Sequence, residues 1–369
     1  MKNNNKNIRL LVDCHVFDGK PQGTTTYLKG IYSELIKEKS IDFYFVASDA
    51  ENLKKVFGTQ KNIYFIPLYF NNKFLRLLIE YPYLIKKHKI DFAHFQYIVP
   101  PLKLCKYIIT IHDVLFIDYP KYFPFWYRIK NRILFQVSSY ISDINLTVSE
   151  YSKEQIQMHF KVKNIYVTPN AVEDKYFDSF NREQLKDQVL KKYNLKDYFL
   201  FVSRREPRKN HLNLLKVFFL YNYYQEYQLV FVGNQDIIDD EYVKFYSNLD
   251  LKVKERILYF DKLNENELLT ITRGATVSIY PSYAEGFGIP PLESIACGVP
   301  TICSNTTAMK DFDFIEDYLF DPNSLHDLND KILKSIHNNI SSEIPNRMKL
   351  KYSWNKSARI LYNLIKNND

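Results

Sequence analysis

The chain has 369 residues, 46% hydrophobic and 16% aromatic, and a formal net charge of +8 at pH 7. That length is too great for one ordinary core and suits two domains, both with enough apolar residues to bury one. No uninterrupted apolar run approaches the roughly 20 residues that span a bilayer, and Cys14, Cys105, Cys297 and Cys303 lack the paired spacing of a metal site. The moderate positive charge suits an acidic small ligand, an anionic membrane surface or nucleic acid. The opening MKNNNKN lacks the apolar core and small-residue cleavage site of a secretory leader. With cysteines that read as small apolar residues of a reducing compartment, a cytoplasmic protein is expected.

Strand-like and helix-like segments alternate from end to end, the pattern of parallel α/β units. The spacing predicts strands at Ile8–Val12, Asp42–Ala47, Ile63–Leu68, Asp91–Gln96, Tyr107–His112, Ile144–Ser149 and Ile165–Thr168. After the first of these, a loop with Gly19 and Gly23 leads into Tyr27, Leu28, Ile31 and Leu35 at helical spacing. Trp126, Ile129, Ile133 and Val137 repeat likewise among Lys121, Arg128, Lys130 and Arg132, with no acid between Asp118 and Asp143. That stretch fits either a buried stripe with a solvated face or a surface resting on anionic lipid headgroups. Glu173 to Lys196 is charged and contains neither Gly nor Pro, so it reads as an interdomain connection with some helix of its own. A second strand series follows at Tyr198–Ser203, Leu229–Gly233, Ile257–Phe260, Val277–Tyr280 and Thr301–Ser304, and Trp354–Ile365 forms a terminal helix. The expected division is 1–175 with 353–369, a connection over 176–196, and a second domain over 197–352.

Ligands of open parallel sheets bind beyond the carboxyl ends of the strands. The polar and glycine clusters fall there: Gly23, His112–Asp113, Ser203–Arg205, Gly233 and Glu285–Gly288. Two such sheets imply a cleft between domains as the active site. In PSYAEGFGIPPLESIACGVPTICSN, Pro281 to Asn305, a strand leads through a glycine loop into a short helix opened by Pro290 and Pro291 and closed by Gly298. Glu285 falls in the loop and Glu293, eight residues on, in the helix. A helix N-terminus welcomes an anion, whereas carboxylates beside it suit hydroxyl groups; a phosphate joined to polyhydroxy groups describes a nucleotide sugar. Ser203 to His211, SRREPRKNH, places Arg204, Arg205, Arg208 and Lys209 at a strand end, a set able to neutralise a diphosphate without a metal. Each stretch also has a plainer reading, as solvated acids or a solvated basic turn. His112 fits a donor to a sugar hydroxyl, an acid or base, or a structural histidine capped by Asp113. Gly23 with Thr24 to Thr26 fits either a close backbone approach to a phosphate or an ordinary helix start. Asp311–Phe312–Asp313 reads as a chance likeness to a metal-binding acid pair.

The run FVSRREPRKNHLNLLKVF resembles the phosphate-binding segment of glycosyltransferase family 4, the retaining enzymes of the GT-B fold, and PSYAEGFGIPPLESIACGVPTICSN resembles its paired-glutamate signature. FAHFQYIVPP, TIHDVLF, LTVSEYSKEQI and IYVTPNAV resemble its N-terminal domain, so the resemblance covers most of the chain in order. It departs at Ser203, where glycine is common, and at Thr24 to Thr26. The resemblance implies two Rossmann-like domains with the terminal helix returning to the first. It implies that Arg204 and Lys209 hold the donor diphosphate, that Glu293 meets the ribose and Glu285 the donor sugar, and that His112 lies near donor sugar and acceptor. Backbone groups of Phe287, Gly288 and Ile289 would bind sugar or phosphates, and the base would meet Gly233 and Phe260 to Leu263. The implied enzyme is a metal-independent, cofactor-free hexosyltransferase that extends a bacterial surface glycan, with GDP-mannose as first donor and UDP-sugars next. Its partners would be that donor and a glycan or lipid-linked oligosaccharide acceptor, with peripheral contact to the inner membrane. A nucleotide-sugar epimerase and a catalytically silent nucleotide-binding subunit keep the fold and change the outcome. A nucleic-acid binder lacks any recognisable module.

Overall fold

The computed structural model describes residues 7–19, 22–337 and 341–369. The chain divides into two compact units, one of Met1–Ala171 with Tyr352–Asp369, the other of Val172–Lys351. The first is built on β1 (Ile8–Asp13), β2 (Ile41–Ala47), β3 (Ile63–Pro67), β4 (Phe92–Gln96), β5 (Lys106–Thr110), β6 (Ile144–Thr147) and β7 (Ile165–Val167). They lie in the order β3-β2-β1-β4-β5-β6-β7, every pair parallel. The second unit has β8 (Tyr198–Val202), β9 (Gln228–Val232), β10 (Ile257–Phe260), β11 (Val277–Tyr280), β12 (Thr301–Ser304) and β13 (Leu319–Phe320), in the parallel order β10-β9-β8-β11-β12-β13.

Helices on both faces demand strands that are apolar on both sides, and β4, β9 and β11 are buried at every residue. Aromatic side chains fill these interiors: Tyr27, Tyr32, Phe43, Phe45, Phe92 and Phe95 in the first unit, Tyr198, Phe199 and Phe201 in the second. The strand order reverses between β1 and β4 and again between β8 and β11, and these switch points open the crevices where ligands of doubly wound sheets sit. The second reversal sets the segment after β8, SRREPRKN, beside the segment after β11, PSYAEGFG.

The terminal helix Trp354–Asn367 packs along the helix Gly23–Leu35. Gly30 makes that approach feasible, since a Cβ there would stand 2.1 Å from a ring carbon of Trp354.

Three sequence expectations need revision. The segment 176–196 is part of the second unit. Its helix Arg182–Tyr193 packs on the helix Glu265–Gly274, buries Val189, and anchors through Arg182 Nη2 to the Ala275 carbonyl at 2.9 Å. So little of that helix is apolar that its packing leaves hardly any periodic signal. The stripe on the helix Phe125–Ile141 is not buried: Phe135, Ser138 and Ser139 pack inward, while Trp126, Ile129, Ile133 and Val137 are exposed. Finally, β13 was absent from the predicted strands, because two residues carry no period.

Candidate active site

In the second unit, β8 and β11 deliver two loops that are stitched together. Asn210, in a left-handed conformation with φ 62°, caps the helix His211–Leu220. Its buried Nδ2 donates to the carbonyls of Pro281 at 3.0 Å and Pro322 at 3.1 Å. Asparagine tolerates that backbone region better than most residues. The Tyr283 amide donates to the Arg208 carbonyl at 2.9 Å.

This stitching brings Lys209 to Glu285. Lys209 Nζ donates to Glu285 Oε1 at 2.6 Å, Ser282 Oγ to the same oxygen at 2.7 Å, and Arg208 Nη1 to Oε2 at 3.4 Å. Arg208 also pairs with Glu206 and donates to the Ala284 carbonyl. Burial works against a charge on Glu285, yet Lys209 and Arg208 with these hydrogen bonds hold its pKa at about 2. Burial also pulls the proton affinity of Lys209 down, opposed by Glu285 and Glu206. The Glu285 amide donates to Thr307 Oγ1 at 2.9 Å, and Thr307 sits at φ 50°, an outlier for a β-branched residue.

Arg204 stands apart from this cluster, exposed and paired with Asp236 at 3.0 Å. Arg205 pairs with Asp261 at 2.7 Å and lies over the Tyr259 ring, 4.9 Å from its centroid. All four cations thus have carboxylate partners. The exposed pairs are worth about 0–1 kcal/mol, so an arriving phosphate can replace Asp236 or Asp261 at little cost. Gly233, at φ 137°, closes the end of β9 against β8: a Cβ would lie 2.2 Å from the Ser203 carbonyl oxygen. Ser203 takes its place with no left-handed backbone, its Oγ donating to the Arg204 carbonyl at 3.2 Å.

Glu293 has the opposite electrostatic setting. It lies on the helix Ile289–Ala296 and accepts from the Tyr176 hydroxyl. Burial raises its pKa to about 7, opposed by Tyr176 and Lys175. The helix is tied to β11 by Tyr280, whose hydroxyl meets Ser294 Oγ at 2.9 Å and the Pro290 carbonyl at 3.1 Å. Gly288 caps it at φ 101°, where a Cβ would crowd Met309 at 3.2 Å. Of the helix's opening three residues, Ile289, Pro290 and Pro291, just Ile289 has a backbone N–H, and Phe287 packs edge-on to Phe312 at 6.2 Å. Two carboxyls on one loop and helix are thus set to titrate far apart, Glu285 near 2 and Glu293 near 7, a frequent property of functional acid pairs.

In the first unit, His112 lies just past β5 and its Nε2 meets Gln96 Oε1, at the end of β4, at 2.8 Å. The amide oxygen accepts, so Nε2 carries the proton. Gln96 Nε2 reaches His94 Nε2 at 3.3 Å, and His94 Nδ1 meets the Tyr32 hydroxyl at 2.6 Å. Burial lowers the pKa of His112 to about 3, so the ring is neutral near pH 7. Asp113 Oδ1 accepts from the Leu115 amide at 3.2 Å. Gly23 opens its helix with nothing within 4 Å of where a Cβ would stand.

The sequence reading did not single out Asn210, Ser282, Thr307 and Tyr176, nor Asp13 at the end of β1. Asp13 Oδ1 takes the Tyr81 hydroxyl at 2.7 Å and His15 Nδ1 at 2.8 Å. A buried acid closing the apolar run IRLLVD was the available signal. Among the described residues no three His, Cys, Asp or Glu side chains gather as a metal-ligand group, and Asp313 is paired with Lys351 at 2.9 Å.

Known structures share this architecture. Sucrose-phosphate synthase from Thermosynechococcus elongatus superimposes with a TM-score of 0.75 at 15% identity, over 98% of both chains. Anabaena HepE in complex with UDP and glucose gives 0.71 at 14%, over 98% of this chain and all of that one. The fold is the GT-B fold of glycosyltransferases. Residues 182–353 match the model for glycosyl transferases group 1, and residues 21–176 match that for glycosyltransferase family 4. Together these two glycosyltransferase models cover most of the chain, one along each unit, and mark it as a glycosyltransferase. Curated relatives include O-antigen chain mannosyltransferase B of Escherichia coli, 28% identical over 72% of this chain and 71% of that protein. O-antigen chain mannosyltransferase RfbU of Salmonella typhimurium is 29% identical over 53% of this chain and about half of its own length, 51%. A UDP-Gal:alpha-D-GlcNAc-diphosphoundecaprenol alpha-1,3-galactosyltransferase of Escherichia coli is 28% identical over 40% of this chain and 38% of its own.

Proposed function

We propose that the protein is a retaining, metal-independent hexosyltransferase that extends a bacterial surface glycan, taking mannose from GDP-mannose. The observation that carries this reading is the ionised Glu285 held by Lys209 and Arg208 at the switch point between β8 and β11. The sugar and glycan follow the names of the two O-antigen mannosyltransferase relatives.

The donor diphosphate would displace Asp236 from Arg204 and take a further N–H of the Lys209 ammonium, which keeps its bond to Glu285. Those cations, with the N-terminus of the helix Ile289–Ala296, stabilise charge that grows on the leaving phosphate as the anomeric C–O bond breaks. An acceptor hydroxyl bonds to the anomeric carbon from the same face. Its proton passes to the departing phosphate oxygen, so no protein base is required. Glu285 orients the sugar hydroxyls. Glu293, with a pKa of about 7, is able both to accept from and donate to the ribose hydroxyls. Neutral His112 would hydrogen-bond an acceptor hydroxyl through the nitrogen opposite its Gln96 contact.

The relative named for a diphosphoundecaprenol-linked substrate and a UDP-sugar supports two refinements. The acceptor is a lipid-linked oligosaccharide used at the cytoplasmic face of the inner membrane, and a UDP-hexose is the second donor reading. Turnover with a panel of GDP- and UDP-sugars, with and without EDTA, tests these statements. Transfer from GDP-mannose that persists in EDTA is expected; strict dependence on added metal, or free epimerised sugar as the sole product, would overturn the reading. Glu285→Gln should lower transfer by about a hundredfold or more with the fold intact, and near-normal activity would reject the site.

A further inference from the structure

We propose that the second unit holds a saccharide pocket of its own, apart from the donor crevice, in which tyrosine rings stack on a single pyranose ring. Its chemistry stands without the donor assignment.

A cavity of about 340 Å³ lies between the segments that follow β8 and β9, the helix Asp240–Ser247 and β10, within the size range of small-ligand sites. Strand geometry separates it from the donor crevice, because successive side chains of a strand point to opposite faces. In β10, Phe260 packs edge-on to Tyr193 at 5.8 Å, whereas Tyr259 turns to the other face and stacks on Phe231 at 5.5 Å. Tyr259 lines the cavity, while the nucleotide base is expected near Phe260 to Leu263. Arg204 and Arg205 divide in the same way. Arg205 pairs with Gln235 in a parallel bridge and lines the cavity, and Arg204 does not line it.

Three tyrosines form the wall. Tyr242 and Tyr246, one helical turn apart, have ring centroids 6.2 Å apart and planes 11° apart, and Tyr259 stands edge-on to Tyr246 at 6.2 Å. The Tyr242 and Tyr259 hydroxyls bond to each other, which uses one of their two hydrogens and leaves the other for a ligand. Arg205 Nη1 is buried without an acceptor, while Nη2 is held by the exposed Asp261. Unpaired buried donors are rare and call for an explanation. Asp239 Oδ1 caps the helix through the Tyr242 amide at 3.2 Å, and Oδ2 has no partner among the described residues.

A ligand that fits this set has an apolar face for the rings and a rim that both donates and accepts. The face of an aromatic ring is negative, so it attracts the weakly positive C–H groups on the face of a pyranose. The sugar hydroxyls then accept from Arg205 and the tyrosine pair and donate to Asp239. A small turn of the guanidinium away from Asp261 brings Nη1 to a ligand oxygen, at little cost for so exposed a pair. A carboxylate or phosphate would meet Asp239 in the same cavity, and burial keeps His211, which also lines it, neutral and unable to compensate. A wholly apolar ligand would leave the donors unpaired.

Saturation-transfer NMR on the full chain without nucleotide tests the pocket, using the methyl α-glycosides of mannose, glucose, galactose and N-acetylglucosamine. At least one should bind with a Kd of about 1–10 mM, and at least tenfold more tightly than sorbitol, which has the hydroxyls but no ring face. Val243→Trp, at a half-exposed position on the cavity wall, should fill the space and weaken binding at least tenfold with an unchanged melting temperature. Tyr246→Ala should weaken it similarly, and Glu285→Gln should leave it unaltered. Linear mannotriose binding at least as tightly as the methyl glycosides would make a residue of a glycan chain the occupant, and its exclusion would make it a free sugar. No glycoside binding more tightly than sorbitol, binding that survives Val243→Trp, or binding lost in Glu285→Gln would each overturn the proposal. The donor panel reads a different site, so either experiment can fail without the other.

Discussion

Lys209 and Glu285 each bring a charge out of water, and each depends on the other to keep it. Removing one partner of a buried pair strands the other, at a cost of about 3–5 kcal/mol. Lys209→Met should therefore destabilise by that order, since Glu285 keeps only Ser282 and the longer Arg208 contact at 3.4 Å. Adding Glu285→Gln should restore most of the loss. Chemical denaturation of the two single variants and the double variant measures the coupling, and simple additivity would show that the pair is not a unit. The charged members of the site were legible because Arg, Lys and Glu at glycine-rich strand ends have few structural uses. Asn210, Ser282, Thr307 and Tyr176 were not. They matter through partners distant in sequence, and a lone Asn or Thr announces no partner. Arg204, of the same motif as Lys209, reaches outward to Asp236, and its position in the motif carried no sign of that orientation.

Two glycines of one element, the helix Gly23–Leu35, have opposite roles. A side chain at Gly30 would run into the rigid indole of Trp354. Gly30→Ala should therefore destabilise by about 1–3 kcal/mol, even though alanine favours helix by up to about 1 kcal/mol. Gly23 faces open space, so Gly23→Ala should leave the melting temperature unchanged or slightly raised. If a sugar or phosphate approaches this backbone, the same change should raise KM for the donor or lower kcat. Unaltered kinetics would make Gly23 an ordinary helix start. Fold elements were far more legible than such contacts. Twelve strands announced themselves as short apolar runs between turn residues, because a parallel strand buried on both faces has to be apolar throughout. The helix Arg182–Tyr193 did not, since it covers the second unit with one buried valine and a polar remainder. The exposed stripe on Phe125–Ile141 has the periodicity of a core helix, and sequence alone does not say which side of it faces in.

Across the whole molecule, buried titratable groups give the two units different responses to acid. His94 and His112 in the first unit and His211 in the second are each pushed down to about 3, chiefly by burial. Unfolded histidine takes up its proton near pH 6.5. Below that pH the unfolded state binds protons that the folded state refuses, so these groups withdraw stability as pH falls. Glu293 has the opposite sign: raised to about 7 from an unfolded value near 4.3, it favours the folded state most below the unfolded value, and that contribution is lost as pH rises through 7. Between about pH 4.5 and 6 the first unit's unfolded state therefore holds about two extra protons, worth about 2.7 kcal/mol per pH unit. In the second unit, His211 and Glu293 nearly offset each other over that window. Glu285, held at about 2, begins to withdraw stability from the second unit only once pH falls through the ordinary carboxylate range. Hydrogen–deuterium exchange, corrected for the pH dependence of the intrinsic rate, should show protection falling steeply in β1, β4 and β5 from pH 6 to 4.5 while β8, β9 and β11 change little. Equal losses in both sheets would mean that the histidines are not held neutral by burial.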